Sequence, residues 1–284
     1  MQRLYKKNMF LDSLKNIYQK NKDRNTAYLR NILKEYIQYY LLQFVSQSIW
    51  AKRFIFKGGS CLRFFFDLPR LSEDLDFDIV DIQTFDMNAF ILALKTYFIS
   101  TIQFDNFEIK LANNKRTLYL RFPILRDIGM TVSPSESNIV FVRIDIAPAR
   151  GTAYTTEVSI KSTYDFSLLI QRYALPDLFS GKIAAILSRE AFEGTIKKER
   201  VKGRDYYDLI WFLEKNTVPN WKYLTQITGF TKNTALKKLK DKVDRASPSV
   251  LHADLAPFFP DNTFVISFSQ NIKSLYAPYS KSIL

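Results

Sequence analysis

Asp74 and Asp76 are separated by one leucine within an alternating stretch, Leu71 to Ile79. On a strand such a pair projects to one face, roughly 6–7 Å apart along the chain, and two like charges that close favour a cation between them. With oxygen donors and no His/Cys cluster, Mg²⁺ is the natural ion, because it binds through one or two carboxylates and leaves room for substrate phosphates. Upstream, Gly58-Gly59-Ser60 can bring backbone N–H groups and one hydroxyl against a triphosphate at a helix N-terminus. A phosphate cradle followed by a metal pair describes a nucleotide site. Each piece alone has a plainer meaning, a glycine turn and an edge strand with a solvated face.

The 284 residues include one His (His252) and one Cys (Cys61). This excludes an intrachain disulfide framework and a Cys/His zinc site, and leaves any His-based triad to His252 alone. Cys61 reads as a small apolar residue and His252 as a structural or surface one, so carboxylates, Lys, Arg and hydroxyls must carry any catalysis. Lys and Arg number 41 against 28 Asp and Glu, a formal charge of +13. Such an excess points to nucleic acid, a nucleotide or an acidic protein partner; a Lys-rich proteome produces it too. A hydrophobic fraction of 47% and an aromatic fraction of 15% describe a chain that buries a core, not a disordered polycation. The amino terminus lacks the apolar segment of a signal peptide and no apolar run reaches about 18 residues, so a cytoplasmic protein without a membrane span is expected.

The elements that must position these residues follow from periodicity. Residues 4–50 read as helix, with Leu29, Ile32, Leu33, Tyr36, Ile37, Tyr40, Leu41 and Phe44 on one face. Phe54–Phe56 reads as a strand, followed by a helix starting near Ser60 with Ser60 as N-cap. A helix is expected over 84–100, and strands near 106–112, 116–122, 139–146 and 157–163, with turns at Asn113-Asn114 and 133–138. Beyond Pro176, helices are expected at 177–192, 203–214, 232–245, 249–259 and 269–278. The division falls near residue 170. The fold class is α/β (α+β), a mixed β-sheet flanked by helices over 1–170, then a mostly helical domain over 171–284.

Gly-Ser followed, after thirteen intervening residues, by Asp74-Leu75-Asp76 resembles the signature of the polymerase-beta-like nucleotidyltransferase superfamily. More narrowly, Gly58-Gly59-Ser60, Leu62-Arg63 and Arg70-Leu71-Ser72-Glu73-Asp74-Leu75-Asp76-Phe77 resemble the AbiEii/AbiGii toxin family, to which the MenT toxins are related. A second block is similar to that family's Lys-containing helix and Arg-Asp-x-x-Asp helix: Lys182 to Arg189, then Lys202-Gly203-Arg204-Asp205-Tyr206-Tyr207-Asp208. Lys182 and Arg189, at i and i+7, share a helix face, as do Asp205 and Asp208 at i and i+3. Alone, the two aspartates read as partners of Arg204 and Lys202 in a surface salt-bridge cluster.

The resemblance implies a nucleotidyltransferase core in which Asp74 and Asp76 are catalytic and hold Mg²⁺, with Asp145 in Phe141–Ala149 as a third ligand. Gly58, Gly59, Ser60, Arg70, Ser72, Lys182 and Arg189 would bind the nucleotide, and Lys182, Asp205 and Asp208 would complete the catalytic set, one aspartate orienting Lys182, Arg204 or the acceptor hydroxyl. Arg70 and Ser72 have structural pairing as an equal alternative, and Asp78 is a bystander. The implied activity is transfer of NMP from an NTP to an acceptor hydroxyl, the tRNA 3′ end for MenT-like relatives. The implied setting is a bacterial toxin–antitoxin or abortive-infection phage-defence system with a partner antitoxin. Competing readings are an NTP- or RNA-binding module without transferase activity and a transferase acting on a protein such as the antitoxin. Basic clusters at Lys197, Lys198, Arg200, Lys202 and Arg204, and at Lys232, Lys237, Lys238, Lys240, Lys242 and Arg245, fit an RNA backbone or an ordinary solvated face.

Overall fold

The structure, a computed structural model, describes residues 2–113, 115–131, 133, 135–163, 165–193, 196–199 and 201–279; side chains are described from residue 9 onward, outside 190–199. The chain forms two compact units, Met1–Phe66 with Leu71–Ala149 and Val158–Gln171, and Asp67–Arg70 with Arg150–Glu157 and Arg172–Leu284. Two short excursions, one carrying Arg70, thus leave the first unit ahead of the boundary expected near 170.

The first unit opens with α1 (Gln2–Asn21) and α2 (Thr26–Gln47). The single helix expected over 4–50 is broken because Asn25 caps α2, its side chain accepting from the Tyr28 N–H at 2.8 Å. Such a cap satisfies one of the otherwise orphaned donors at a helix start. Then come β1 (Phe54–Lys57), α3 (Gly58–Phe66), β2 (Asp74–Ile79), α4 (Met87–Thr96) with a π-helical extension at Tyr97–Ile102, β3 (Glu108–Leu111), β4 (Thr117–Phe122), β5 (Val140–Pro148), β6 (Thr156–Ser162) and β7 (Ser167–Tyr173). The seven strands form one mixed sheet in the order β3-β4-β5-β2-β1-β7-β6. β2 runs parallel to β5 and antiparallel to β1, placing the aspartate strand in the sheet's interior. β7 lies outside the strands expected from alternation: Leu168 and Ile170 are buried, but Leu169 between them is exposed and apolar, which hides the period.

The sheet's apolar face explains the register. Leu75, Phe77 and Ile79 point one way on β2 and Val142, Ile144 and Ile146 do so on β5, all buried, with Phe56 and Phe77 stacked at 5.0 Å between ring centres. A one-residue slip would turn this whole set outward and bring the aspartates in. The segment ahead of β2 is pinned by buried Gln38, whose amide donates to the carbonyls of Ser72 (3.3 Å) and Glu73 (2.8 Å).

The second unit holds α5 (Leu175–Ser188), a hairpin of β8 (Glu190–Glu193) and β9 (Ile196–Glu199), α6 (Gly203–Glu214), α7 (Trp221–Thr228), α8 (Lys232–Arg245), α9 (Pro248–Leu255) and α10 (Asn262–Tyr279). The helix expected to reach 192 ends at Ser188 and gives way to β8, and the eight-residue α7 has no counterpart among the expected elements. Phe179 of α5 stacks on Phe212 of α6 at 4.4 Å, over a core that includes Leu209, Leu224, Leu239, Leu251 and Ile272. Gly203 meets the Leu251 backbone so closely that no Cβ fits, which lets α6 start against α9. Among the described residues, no helix is long and apolar enough to cross a membrane.

Candidate active site

In the first unit the site is a charged face of the sheet. Strand pairing puts Lys57 opposite Asp76, Asp76 beside Asp145, and Asp145 opposite Thr117, one row across β1, β2, β5 and β4. The next row sets Asp74 beside Arg143, and Arg143 opposite Tyr119. Alternation along β2 adds Asp78 to the same face. Lys57 Nζ reaches Asp78 Oδ1 at 2.5 Å, and Arg143 donates to Asp145 while its other nitrogen lies 3.8 Å from Asp74 Oδ2. Thr117 Oγ1 donates to Asp145 at 2.6 Å.

Gly58 is what allows Asp76 its place. Its φ of +77° lies in the left-handed region, and a Cβ there would collide with Asp76 Oδ2. The Asp76 carboxylate therefore lies directly against the start of α3, where the N-terminal N–H groups favour an anion. Because Gly58 turns the chain, α3 begins two residues ahead of Ser60, and Ser60 is not the N-cap. Its fully buried hydroxyl donates to the Asp74 carbonyl, which fastens α3 to β2 rather than presenting the hydroxyl to a ligand. Gly59 is buried in the same first turn, and Arg63 is held by Glu35 at 2.8 and 3.1 Å. Ser72 is buried, its carbonyl taken by Gln38.

Asp78 is buried and is the partner of Lys57. Asp145 lies beside Asp76 in register, its oxygens engaged by Thr117 and Arg143, and among the described residues no group of three or more His, Cys, Asp or Glu is arranged to hold a metal. The Asp74/Asp76 pair itself fits a hard divalent ion in three ways. Its donors are all oxygen, the missing Gly58 side chain makes room for the Asp76 carboxylate against the start of α3, and a guanidinium already sits between Asp74 and Asp145.

The second unit carries the other block of sequence-predicted residues as a buried charge network. Asp208 is fully buried and receives Arg70 through two parallel bonds, Nε to Oδ1 and Nη2 to Oδ2, both 2.6 Å. Lys182 Nζ lies 2.9 Å from Asp205 Oδ1 and 2.7 Å from Asp208 Oδ2, and Arg189 Nε lies 2.5 Å from Asp205 Oδ2. Burial alone would push the Asp205 carboxyl up, but Lys182 and Arg189 outweigh it and hold the group at about 2. Burial likewise works against the Lys182 ammonium, yet Asp205 and Asp208 raise its pKa above the ordinary value. Lys182 and Asp205 are thus held in their charged forms, within a network of three basic and two acidic side chains.

This disposes of the surface-cluster reading of Asp205 and Asp208. Arg204 pairs instead with Asp254 at 3.3 Å and lies over the Phe258 ring. Arg70, 2% exposed, is committed to Asp208, and Arg189 to Asp205, so in this structure both hold the network together. His252 shares a hydrogen bond with Asn262 at 2.8 Å. Of the basic clusters, Arg200 and the side chains of Lys197 and Lys198 lie outside the described residues. On α8, Ala235, Leu239 and Val243 are buried while Lys237, Lys238, Lys240 and Arg245 are exposed, with Lys240 paired to Asp244 at 2.5 Å. Sequence reasoning did not single out Arg143, Lys57, Thr117 or Gln38. Arg143 was visible two residues before Asp145 on the same strand face, and Lys57 immediately before the glycine pair.

The model of the nucleotidyl transferase AbiEii toxin family, of type IV toxin–antitoxin systems, matches residues 40–263. The chain belongs to the AbiEii family. It is a nucleotidyltransferase, and both the Asp74/Asp76 face and the Lys182 network fall inside the matched region. Its fold is similar to that of MenT4, a nucleotidyltransferase toxin from Mycobacterium tuberculosis H37Rv, at 17% identity and a TM-score of 0.56, covering 93% of this chain and 88% of that one. It is also similar to that of JHP933 from Helicobacter pylori, at 15% identity and a TM-score of 0.50, covering 89% and 93%. A direct comparison with curated protein sequences found no match. The mixed sheet with flanking helices and helical carboxy-terminal part is the architecture expected from the sequence.

Proposed function

We propose that this AbiEii-family enzyme transfers NMP from an NTP to an acceptor hydroxyl in a Mg²⁺-dependent reaction, with the 3′ end of tRNA as acceptor. The observation that carries the proposal is the in-register row of Lys57, Asp76, Asp145 and Thr117 beside Asp74, with the Asp76 carboxylate lying against the start of α3 where Gly58 has no side chain. Asp74 and Asp76 would hold the ion, which when bound supplies charge neutralisation to the triphosphate and polarises the attacking hydroxyl. Gly58 and Gly59 bring the start of α3 close enough for backbone N–H groups to receive phosphate oxygens. The acceptor oxygen bonds to the α-phosphorus, the α–β bridging P–O bond breaks, pyrophosphate leaves with the electron pair, and the hydroxyl proton passes to solvent.

Lys182 is assigned as a phosphate-binding cation of the second unit, kept ionised by Asp205 and Asp208. In this assignment the two aspartates position the lysine and do not touch substrate. A tRNA acceptor is supported by the +13 charge and by the exposed lysines of α8, and it implies strongly salt-dependent binding. In its genetic setting the enzyme would be the toxin restrained by a cognate antitoxin, as the type IV description of its family implies.

The test is incubation of the protein with total tRNA and each α-labelled NTP in Mg²⁺. Label in tRNA is the expected result. Label in protein alone would move the acceptor to a polypeptide, and nucleotide binding without transfer to either would reduce the chain to a binding module.

A further inference from the structure

Arg143 contrasts with Arg70. Arg70 is committed to Asp208 through two 2.6 Å bonds at 2% exposure, the geometry of a permanent structural pair. Arg143 is 40% exposed at its side chain, touches Asp145 through one nitrogen, stands 3.8 Å from Asp74 through another, and leaves its buried Nε without a hydrogen-bond partner. A part-exposed guanidinium shared between two carboxylates occupies the place of a cation. Its part-exposed fork is rehydrated as it leaves, which offsets part of the lost ion pair.

Resting on the metal reading above, we propose that Arg143 is a resident stand-in for the divalent ion: it holds Asp74 and Asp145 in the metal-free enzyme and is exchanged for the metal on loading. The exchange has a consequence for order of binding. Without nucleotide, the metal must displace an intramolecular ion pair and binds weakly. With a triphosphate present, the released guanidinium gains an anionic partner, so metal and nucleotide strengthen each other by the same factor in both directions. Arg143 acts here as a positioning residue, and its effect falls on metal affinity before it falls on turnover.

The experiment is Mn²⁺ titration of the full-length protein, followed by the electron paramagnetic resonance signal of free Mn²⁺, with and without a non-hydrolysable NTP analogue. Arg143→Gln should bind Mn²⁺ about five- to tenfold more tightly without nucleotide, the range expected for losing a half-exposed, charge-assisted competitor. It should also lose most of the affinity gain that the analogue gives the wild type. Lys57→Gln removes the same charge from the same face but frees Asp78 instead, and should tighten Mn²⁺ no more than about twofold. Equal tightening in the two variants would mean general electrostatics and would overturn the proposal, as would an unchanged Arg143→Gln. Should Arg143→Gln not fold, Arg143→Lys keeps the charge without the fork that spans both carboxylates; two- to threefold tighter binding supports the exchange, and wild-type affinity refutes it. Asp76→Asn separates the two levels: if wild-type protein binds no Mn²⁺, or binds it regardless of Asp76, the metal reading fails and this inference with it. If Asp76→Asn abolishes binding while Arg143→Gln leaves it unchanged, only the inference fails.

Discussion

Asp208→Asn keeps the shape of a fully buried side chain and removes its charge, so it measures what the second unit's network contributes. In the wild type Asp208 receives Arg70 through two bonds and Lys182 through a third contact, all at 2.6–2.7 Å. After the substitution, Asp205 is left as the carboxylate beside Lys182 and Arg189, and the buried Arg70 guanidinium loses both of its bonds to the Asp208 carboxylate. Breaking a buried pair from one side typically costs about 3–5 kcal/mol, because the abandoned charge keeps its desolvation penalty. At roughly 2–4 °C per kcal/mol for a domain of this order of size, the melting temperature should fall by about 10 °C. The assay is thermal and urea unfolding followed by tryptophan fluorescence, with Trp211 on α6 and Trp221 at the start of α7 as reporters. Replacing both partners, Arg70→Met with Asp208→Leu, should recover much of the loss, since neither charge is then stranded. A loss below about 1 kcal/mol for Asp208→Asn would place the pair with exposed salt bridges and refute the reasoning.

Gly58→Ala adds a Cβ where φ is +77° and where Asp76 Oδ2 already lies, so it should cost about 1–2 kcal/mol in backbone strain and displace the carboxylate, lowering transfer about a hundredfold. Gly129→Ala is the matched control: its φ is +79° with nothing within 4 Å of the new Cβ, so stability should fall similarly while specific activity holds. The pH dependence follows from Asp205, held at about 2 against an ordinary 3.8. A depressed carboxyl contributes stability that is complete above the unfolded value and lost as pH falls through the folded one, so about 2 kcal/mol should disappear between pH 4 and 2. Asp205→Asn, compared by melting temperature over that range, should lack this component. Lys182, raised above 10.5, works in the opposite sense, its contribution fading only as pH rises beyond that value.

The aspartate strand was legible in the sequence because a period of two in six residues leaves little choice of face, and the apolar set Leu75, Phe77 and Ile79 fixes which side is buried. The partners of these charges were not, because they come from pairing rather than spacing. Arg70 and Asp208 are 138 positions apart, and nothing local in either segment distinguishes a buried bidentate pair from two surface charges. Asp78 was set aside by counting residues along its own strand, whereas its partner Lys57 comes from the neighbouring one. Ser60 is not the cap its residue type suggests, because Gly58, with its left-handed φ, opens the helix two residues sooner. The eight-residue α7 escaped notice for want of length, since one or two turns give little periodicity to read.

The central claim is that nucleotidyl transfer depends on the carboxylate pair of the sheet face. It is tested most directly by Asp76→Asn in the labelled-NTP reaction with tRNA, alongside circular dichroism and nucleotide-binding measurements on the same preparation. The expected result is a folded protein that still binds NTP and transfers label at least about a hundredfold more slowly. Transfer at the wild-type rate would contradict it.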